Sequence, residues 1–363
     1  MTPAAPPIGG LSPILITGGA GFIGANLADR LAREGEHVLL LDSLARPGVE
    51  RNVAWLRARH PSKISLIAAD VRDAHASVDA AREACAIFHF AAQVAVTTSL
   101  IDPREDFSIN AAGTLGLLES LRESAPSTPF IFASTNKVYG DLANVPVELR
   151  DGAYRPVDEL LARRGVSENQ PLDFHTPYGC SKGAAEQYVL DYARSYGLPT
   201  AVMRMSCIYG PRQMGTEDQG WVAHFLLKIA AGESVTIYGD GHQVRDILFV
   251  DDAVGAYVEA WRRIGRIAGR AFNLGGGPAN AVTVSDVVAR AEALLNRKVA
   301  VEFEPWRSGD QRYYVSDTRQ VRAALGFAAP LGWREGMARL ADWITSHENT
   351  ERPTPAALQQ VGT

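Results

Sequence analysis

A short apolar run at 14–17 leads into three glycines, Gly18, Gly21 and Gly24, in the stretch ILITGGAGFIGANLADRLAREG, and a helical pattern starts inside them. Glycine permits a tight turn and lets a pyrophosphate approach the backbone, while the N-terminus of the following helix faces the negative charge. The spacing is G-x-x-G-x-x-G, and glycines alone are a weak signal. A strand before them and a helix after them supply the context of a dinucleotide site. Gly18, Gly21, Phe22, Ile23 and Gly24 are the candidate phosphate contacts. A chain that opens this way is constrained to a parallel sheet that receives its ligand beyond the carboxyl ends of the strands.

The rest of the first two hundred or so residues obeys that constraint. Apolar runs at 37–42, 64–68, 86–90, 129–134 and 200–205 read as further strands. Helical patterns at 21–34, 49–59, 104–123 and 178–196 lie between them. Repeated strand–helix alternation predicts an α/β fold, a Rossmann-type doubly wound parallel sheet. The second strand ends at Asp42 and Ser43, where a carboxylate suits the adenosine ribose hydroxyls and repels a 2'-phosphate, favouring NAD over NADP. Arg46 softens that preference or is a solvated loop residue. Asp70 and Val71 end the third strand, as adenine contacts or as turn residues. Ala91 and Ala92 after the fourth are small enough for a cofactor to lie against the backbone.

Beyond residue 205 the pattern loosens. Residues 12–205 and 243–278 are expected to form the nucleotide domain, and 206–242 with 279–345 a smaller, discontinuous α/β substrate-binding lobe. Segment 141–177 is long for a connection; it reads equally as a surface insertion or as a wall over the substrate, with a short helix at 157–164. The end from 346 is polar and reads as a flexible tail. The net charge is -5 and there is no Lys/Arg block, which argues against nucleic acid. No apolar run of about 18 residues predicts a membrane span. Cys85, Cys180 and Cys207 show no paired spacing and read as reduced thiols of a cytoplasmic protein. The eight His residues form no ligand pattern, so no metal is expected.

In HTPYGCSKGAAEQYVLDYARSYG, Tyr178 and Lys182 are four residues apart and share a helix face. Such a pair is common on solvated helices. Together, though, a cation can draw down the phenol pKa from its ordinary value of about 10 and make it a usable base. Thr135 closes the fifth strand in FIFASTNKVYGD. The set Thr135, Tyr178 and Lys182 resembles that of the extended short-chain dehydrogenases/reductases, which include nucleotide-sugar epimerases and dehydratases. VYGD, YGCSK, YGPR and VRDILFVDD carry the same resemblance over roughly 14–327. LDSLARPGVERNVAWL, STNKVYGD and RMSCIYGPRQMGTEDQGWVAHFL are most similar to the subgroup that epimerises carbon 2 of CDP-linked paratose and tyvelose.

The resemblance implies bound NAD, transient oxidation of the sugar to a 2-keto form with Tyr178 as acid–base group, and hydride return to the opposite face. It implies a nucleotide-diphosphate sugar, with CDP favoured, and substrate contacts at Gln93, Thr98, Asn136, Lys137, Cys207, Gln219, Gly220, Trp221, Tyr238, Arg245 and Arg307. Thr97 and Ser99 lie near the sugar in the same pattern. Trp221 is equally readable as core of its helix. Arg245 and Arg307 would hold the diphosphate, since a planar guanidinium suits bidentate contact. Dehydratases carry Asp-Glu where this chain has Asn136-Lys137, so elimination is disfavoured. A UDP-sugar 4-epimerase uses the same residues and stays open; a non-catalytic NAD(P) sensor is a third reading. Relatives pair helices corresponding to 104–123 and 178–196 across a homodimer, with a tetramer as the larger alternative.

Overall fold

The computed structural model describes residues 12–346. The expected tail from 346 onward lies almost wholly outside them. The large sheet has seven strands: β1 (Ile14–Thr17), β2 (Val38–Asp42), β3 (Ile64–Ala68), β4 (Ala86–His89), β5 (Phe130–Thr135), β6 (Thr200–Met205) and β7 (Arg270–Leu274). Their order across the sheet is β7-β6-β5-β4-β1-β2-β3, and every pairing is parallel. Consecutive side chains point to opposite faces. Ile14, Ile16, Leu40, Phe88 and Met203 therefore enter one core, and Leu15, Leu39, Leu41, Ile87 and Phe132 the other. Two buried faces explain why these strands are continuously apolar. The chain changes direction across the sheet between β1 and β4, which opens the cleft at their carboxyl ends.

The remaining strands form small sheets beside that cleft. Val244–Phe249 was expected with 243–278 in the nucleotide domain. It pairs instead with Cys207–Tyr209, Ala281–Thr283 and Tyr313–Tyr314, outside the large sheet. Its alternation explains the difference. Ile247 and Phe249 pack in one hydrophobic core with Phe225, Val287 and Leu340, while Leu248 packs in another with Phe88 and Leu274. The strand thus has a face on each of two cores. Segment 141–177 contains an antiparallel hairpin, Val147–Arg150 with Ala153–Pro156, and a helix at Glu159–Arg164.

The helix expected at 104–123 is broken into Pro103–Phe107, a π-helical turn Ser108–Ala112, and Gly113–Ser124. Asn110 in that turn donates to the Gln93 carbonyl and accepts from the Gln93 N–H, at 3.0 and 2.9 Å. These contacts tie the widened turn to the loop after β4. Among the described residues no helix is long and apolar enough to cross a membrane.

Candidate active site

The glycine loop is built as a cradle. Gly18 has a φ of +67°, and a Cβ there would stand 2.7 Å from the Ala91 nitrogen. A Cβ on Gly24 would stand 2.4 Å from the Gly18 carbonyl oxygen. Gly21 begins the helix Phe22–Arg33 with no side chain bonded across its end. The first N–H groups of a helix, those around Phe22 and Ile23, have no intrahelical partner and face the loop. Asp42 stands beside them and accepts the Ala20 and Leu44 N–H groups, both at 2.9 Å. Ser43 and Arg46 are exposed. These residues fit an adenine dinucleotide: phosphates on the helix end and ribose at Asp42. Gly24→Ala should cost about 1–3 kcal/mol through overpacking and lower NAD affinity, which calorimetric titration would measure.

Asp70 closes its own turn, its carboxylate accepting the Arg72 N–H at 2.8 Å. Arg72 chelates its carboxylate through Nε and Nη2, each at 2.8 Å, and also holds Glu105 at 2.6 Å. The Arg72 hydrogen bonds hold the Asp70 carboxyl below its ordinary pKa. Val71 is buried, and a Cβ on Gly113 would stand 3.0 Å from its Cγ1. Ala91 and Ala92 are half-buried at the end of β4.

Thr135 ends β5 and its hydroxyl accepts the Lys137 N–H at 3.2 Å. Tyr178 and Lys182 lie on the helix Thr176–Tyr196, across from it. The Tyr178 N–H is fixed by the Ser99 hydroxyl at 3.2 Å. Burial pushes the Tyr178 phenol up to about 12, and a hydrogen bond with Thr135 opposes the shift. Burial pushes Lys182 down to about 7, opposed by Glu186 and Asp106. The ammonium lies 4.1 Å from the centre of the Phe132 ring. The expected depression of the phenol by Lys182 is therefore absent in the protein by itself. A low-dielectric site disfavours the charged form of both groups. Beneath them His89 is bonded by the Thr17 and Thr114 hydroxyls at 2.6 and 2.9 Å. Burial and Lys182 lower it to about 3, so it is neutral.

On the substrate side, Arg307 stacks on Tyr238 at 3.6 Å and is paired with Glu217 at 3.1 Å and Asp218 at 3.4 Å. The Tyr238 hydroxyl also donates to Glu217. Arg245, half-buried, donates to the Val244 carbonyl. Gln219 closes a tight turn with Thr216, and Gly220, at φ +74°, caps the helix Trp221–Ala231. Trp221 packs against the core that holds Phe225 and Leu226, as its core reading expects, and its Nε1 donates to the Cys207 sulfur at 3.3 Å. Gln93 is held by Ala95 through its amide nitrogen, and its Oε1 is buried without a partner. Thr98 is exposed, whereas the Thr97 hydroxyl is buried and unpartnered. Successive helical residues point about 100° apart, so only one of the two threonines can face inward.

The NAD dependent epimerase/dehydratase family model matches residues 14–275. The chain belongs to that family. It is 38% identical over 345 residues to CDP-paratose 2-epimerase of Salmonella typhi, covering 92% of this chain and 99% of that one. Among solved structures, the UDP-glucose 4-epimerase of Thermotoga maritima with UDP-glucose superposes with a TM-score of 0.78, at 29% identity and 92% and 98% coverage. The Thermus thermophilus UDP-glucose 4-epimerase, solved with NAD, gives 0.76, 30%, 92% and 99%.

In this epimerase/dehydratase, NAD is the cofactor, and the two positions after Thr135 are tied to the lobe. Asn136 donates to Gln311 at 2.9 Å, and Gln311 donates on to the Gly140 carbonyl at 2.6 Å. Lys137 donates to the Gly309 carbonyl at 2.9 Å and lies 3.5 Å from Asp310. Burial lowers the Lys137 ammonium pKa, and Asp310 opposes this. Gln311 and Asp310 escaped the sequence reading because nothing in their local pattern marks them. They enter the site through contacts more than 170 residues away in sequence.

Proposed function

We propose that this protein is a CDP-sugar 2-epimerase that interconverts CDP-paratose and CDP-tyvelose. The observation that carries the reading is the full-length relationship to CDP-paratose 2-epimerase. The site supports it chemically. Asn136 and Lys137 replace the acid pair of the dehydratase pattern, and Asn136 is committed to Gln311, so neither position supplies that pair for expelling water. NAD, when bound, supplies a reversible hydride acceptor. Tyr178 takes the proton of the sugar 2-hydroxyl and later returns it, with Thr135 hydrogen-bonding the same oxygen and Lys182 lowering the cost of the phenolate. Arg245 and Arg307 anchor the diphosphate, for which Arg307 exchanges Glu217 and Asp218. Tyr238, Gln219, Gly220 and Trp221 hold the nucleotide end, and Gln93, Thr97 and Cys207 line the sugar. An anchor at the nucleotide alone leaves the keto sugar free to turn its other face while it stays sequestered.

The nucleotide domain is read as β1–β7 with their helices, and the lobe as the elements around Trp221–Ala231, Val284–Leu295 and Trp333–Thr345. A homodimer is supported by Ile101, Phe107, Tyr188 and Tyr196, large apolar side chains exposed on neighbouring helices. Three unpaired cysteines support a cytoplasmic setting.

NAD-loaded protein incubated with CDP-tyvelose should yield CDP-paratose, followed by NMR, and should leave UDP-glucose unchanged. Conversion of UDP-glucose to its 4-epimer, with CDP-tyvelose untouched, would replace this reading with the 4-epimerase one. Inertness toward both with NAD bound would favour a sensor.

A further inference from the structure

Asp106 is a fully buried carboxylate that the acid–base pair by itself does not account for. It belongs to the short helix Pro103–Phe107, just before the π-helical turn. One oxygen accepts the Ser181 hydroxyl at 2.5 Å and the other the Asn110 amide at 3.2 Å. Ser181 lies between Tyr178 and Lys182 in sequence and also reaches the Tyr178 carbonyl at 3.2 Å. Among the described residues no Lys, Arg or His nitrogen forms an ion pair with Asp106.

The charged and titratable groups around the pair come from several elements. His89 reaches in from β4 and is neutral. Lys137 comes from the turn after β5 and is tied to Asp310. Glu119, from the helix Gly113–Ser124, is bonded to Tyr192 and Arg122 farther along. Glu186 is consumed by Arg204 of β6, at 2.6 Å, and by the Ser134 hydroxyl, at 2.6 Å. Among the described residues neither Asp106 nor Lys182 has an ion pair of its own, and the carboxylates that favour the Lys182 ammonium are Glu186 first and Asp106 second.

We propose that Asp106 is the buried counter-charge of the Tyr178–Lys182 pair, a positioning residue tied to their helix through Ser181 that sets the pH range of proton exchange. It rests on the reading of Tyr178 and Lys182 as the acid–base centre. The electrostatics agree in direction: the Asp106 charge favours the Lys182 ammonium and opposes the Tyr178 phenolate. Removing it should therefore lower the pKa of both groups and slide the whole activity profile to lower pH.

Asp106→Asn is a close test of charge alone. Its amide oxygen can accept from Asn110, and its NH2 can donate to Ser181, whose hydroxyl then turns to the Tyr178 carbonyl. In NAD-loaded protein, both limbs of the kcat/KM profile should move down by about one pH unit, the low end of the effect of a nearby charge. Asp106→Glu, which keeps the charge, should leave them near their original positions. A readout independent of turnover is the near-ultraviolet phenolate titration of Tyr178, taken as the difference from Tyr178→Phe in each background. Its midpoint should fall by the same amount in Asp106→Asn.

Unmoved limbs and an unmoved phenolate midpoint would make Asp106 a packing residue and overturn the proposal, as would failure of both variants to fold. If only the asparagine variant unfolds, Asp106→Ser is read by the same two criteria. Failure of the acid–base reading itself shows separately, as turnover that survives Tyr178→Phe.

Discussion

Replacing Tyr178 with phenylalanine should lower turnover by about 10²–10⁴-fold, the usual contribution of a positioned acid–base group, while NAD still binds. The separation follows from position. In the proposed site the glycine cradle and Asp42 would hold the dinucleotide from the β1–β2 side, while the phenol meets Thr135 on the other side of the cleft. Phenylalanine keeps the ring that fills this half-buried position and removes only the oxygen that carries the proton. Burial holds the phenol up at about 12, and a nearby positive charge favours the phenolate; in the proposed mechanism Lys182 and the bound cofactor would supply that charge. The expected signature is a collapse of kcat with an unchanged NAD dissociation constant, read by steady-state kinetics and calorimetry. Near-normal turnover would remove Tyr178 from the mechanism.

The second large effect is on stability. Arg204→Met should cost about 3–5 kcal/mol, because it leaves Glu186 as a buried charge without its partner. Arg204 and Glu186 have side chains only 6% and 0% exposed, so little water can compensate. Their contacts also join separate elements. Arg204 on β6 reaches Glu186 on the Thr176–Tyr196 helix at 2.6 Å and the Tyr139 hydroxyl at 2.8 Å. Tyr139 donates to Asn273 of β7 at 2.7 Å, and Ser134 of β5 donates to Glu186. The helix carrying Tyr178 and Lys182 is thereby clamped to three strands of the sheet. Arg204→Met combined with Glu186→Leu should recover much of the loss, since a buried ion pair replaced as a unit is often close to neutral. Denaturant unfolding of the two variants measures both statements. A single-variant loss below about 1 kcal/mol would show that the pair is more hydrated than its burial indicates.

The legible part of the site was the part written in local pattern. Three glycines between a strand and a helix, a carboxylate ending the next strand, and Tyr and Lys one helical turn apart each describe their own geometry. Thr98 shows the limit of such reading. A run of three hydroxyl residues was visible in the sequence, but only the path of the helix at Val96–Ile101 turns Thr97 inward and Thr98 to solvent. The strand Val244–Phe249 shows another. Its apolar pattern reads equally well in either sheet, and partners from three distant segments decided the matter.

By itself, the sequence determined the parallel sheet and the glycine loop between its first strand and helix, and it singled out the side chains proposed here for acid–base work. Those depend on backbone freedom, hydrophobic period and side-chain chemistry, all carried within a few residues. The tertiary structure alone decided how those side chains are charged and held. Burial, which no short segment encodes, moves Tyr178 and Lys182 toward their neutral forms. Gln311 reaches Asn136 from far along the chain, and Asp106, just before the π-helical turn, accepts the Ser181 hydroxyl. A pKa and a pocket wall both depend on what surrounds a group in space, and these surroundings come from residues far apart in the chain.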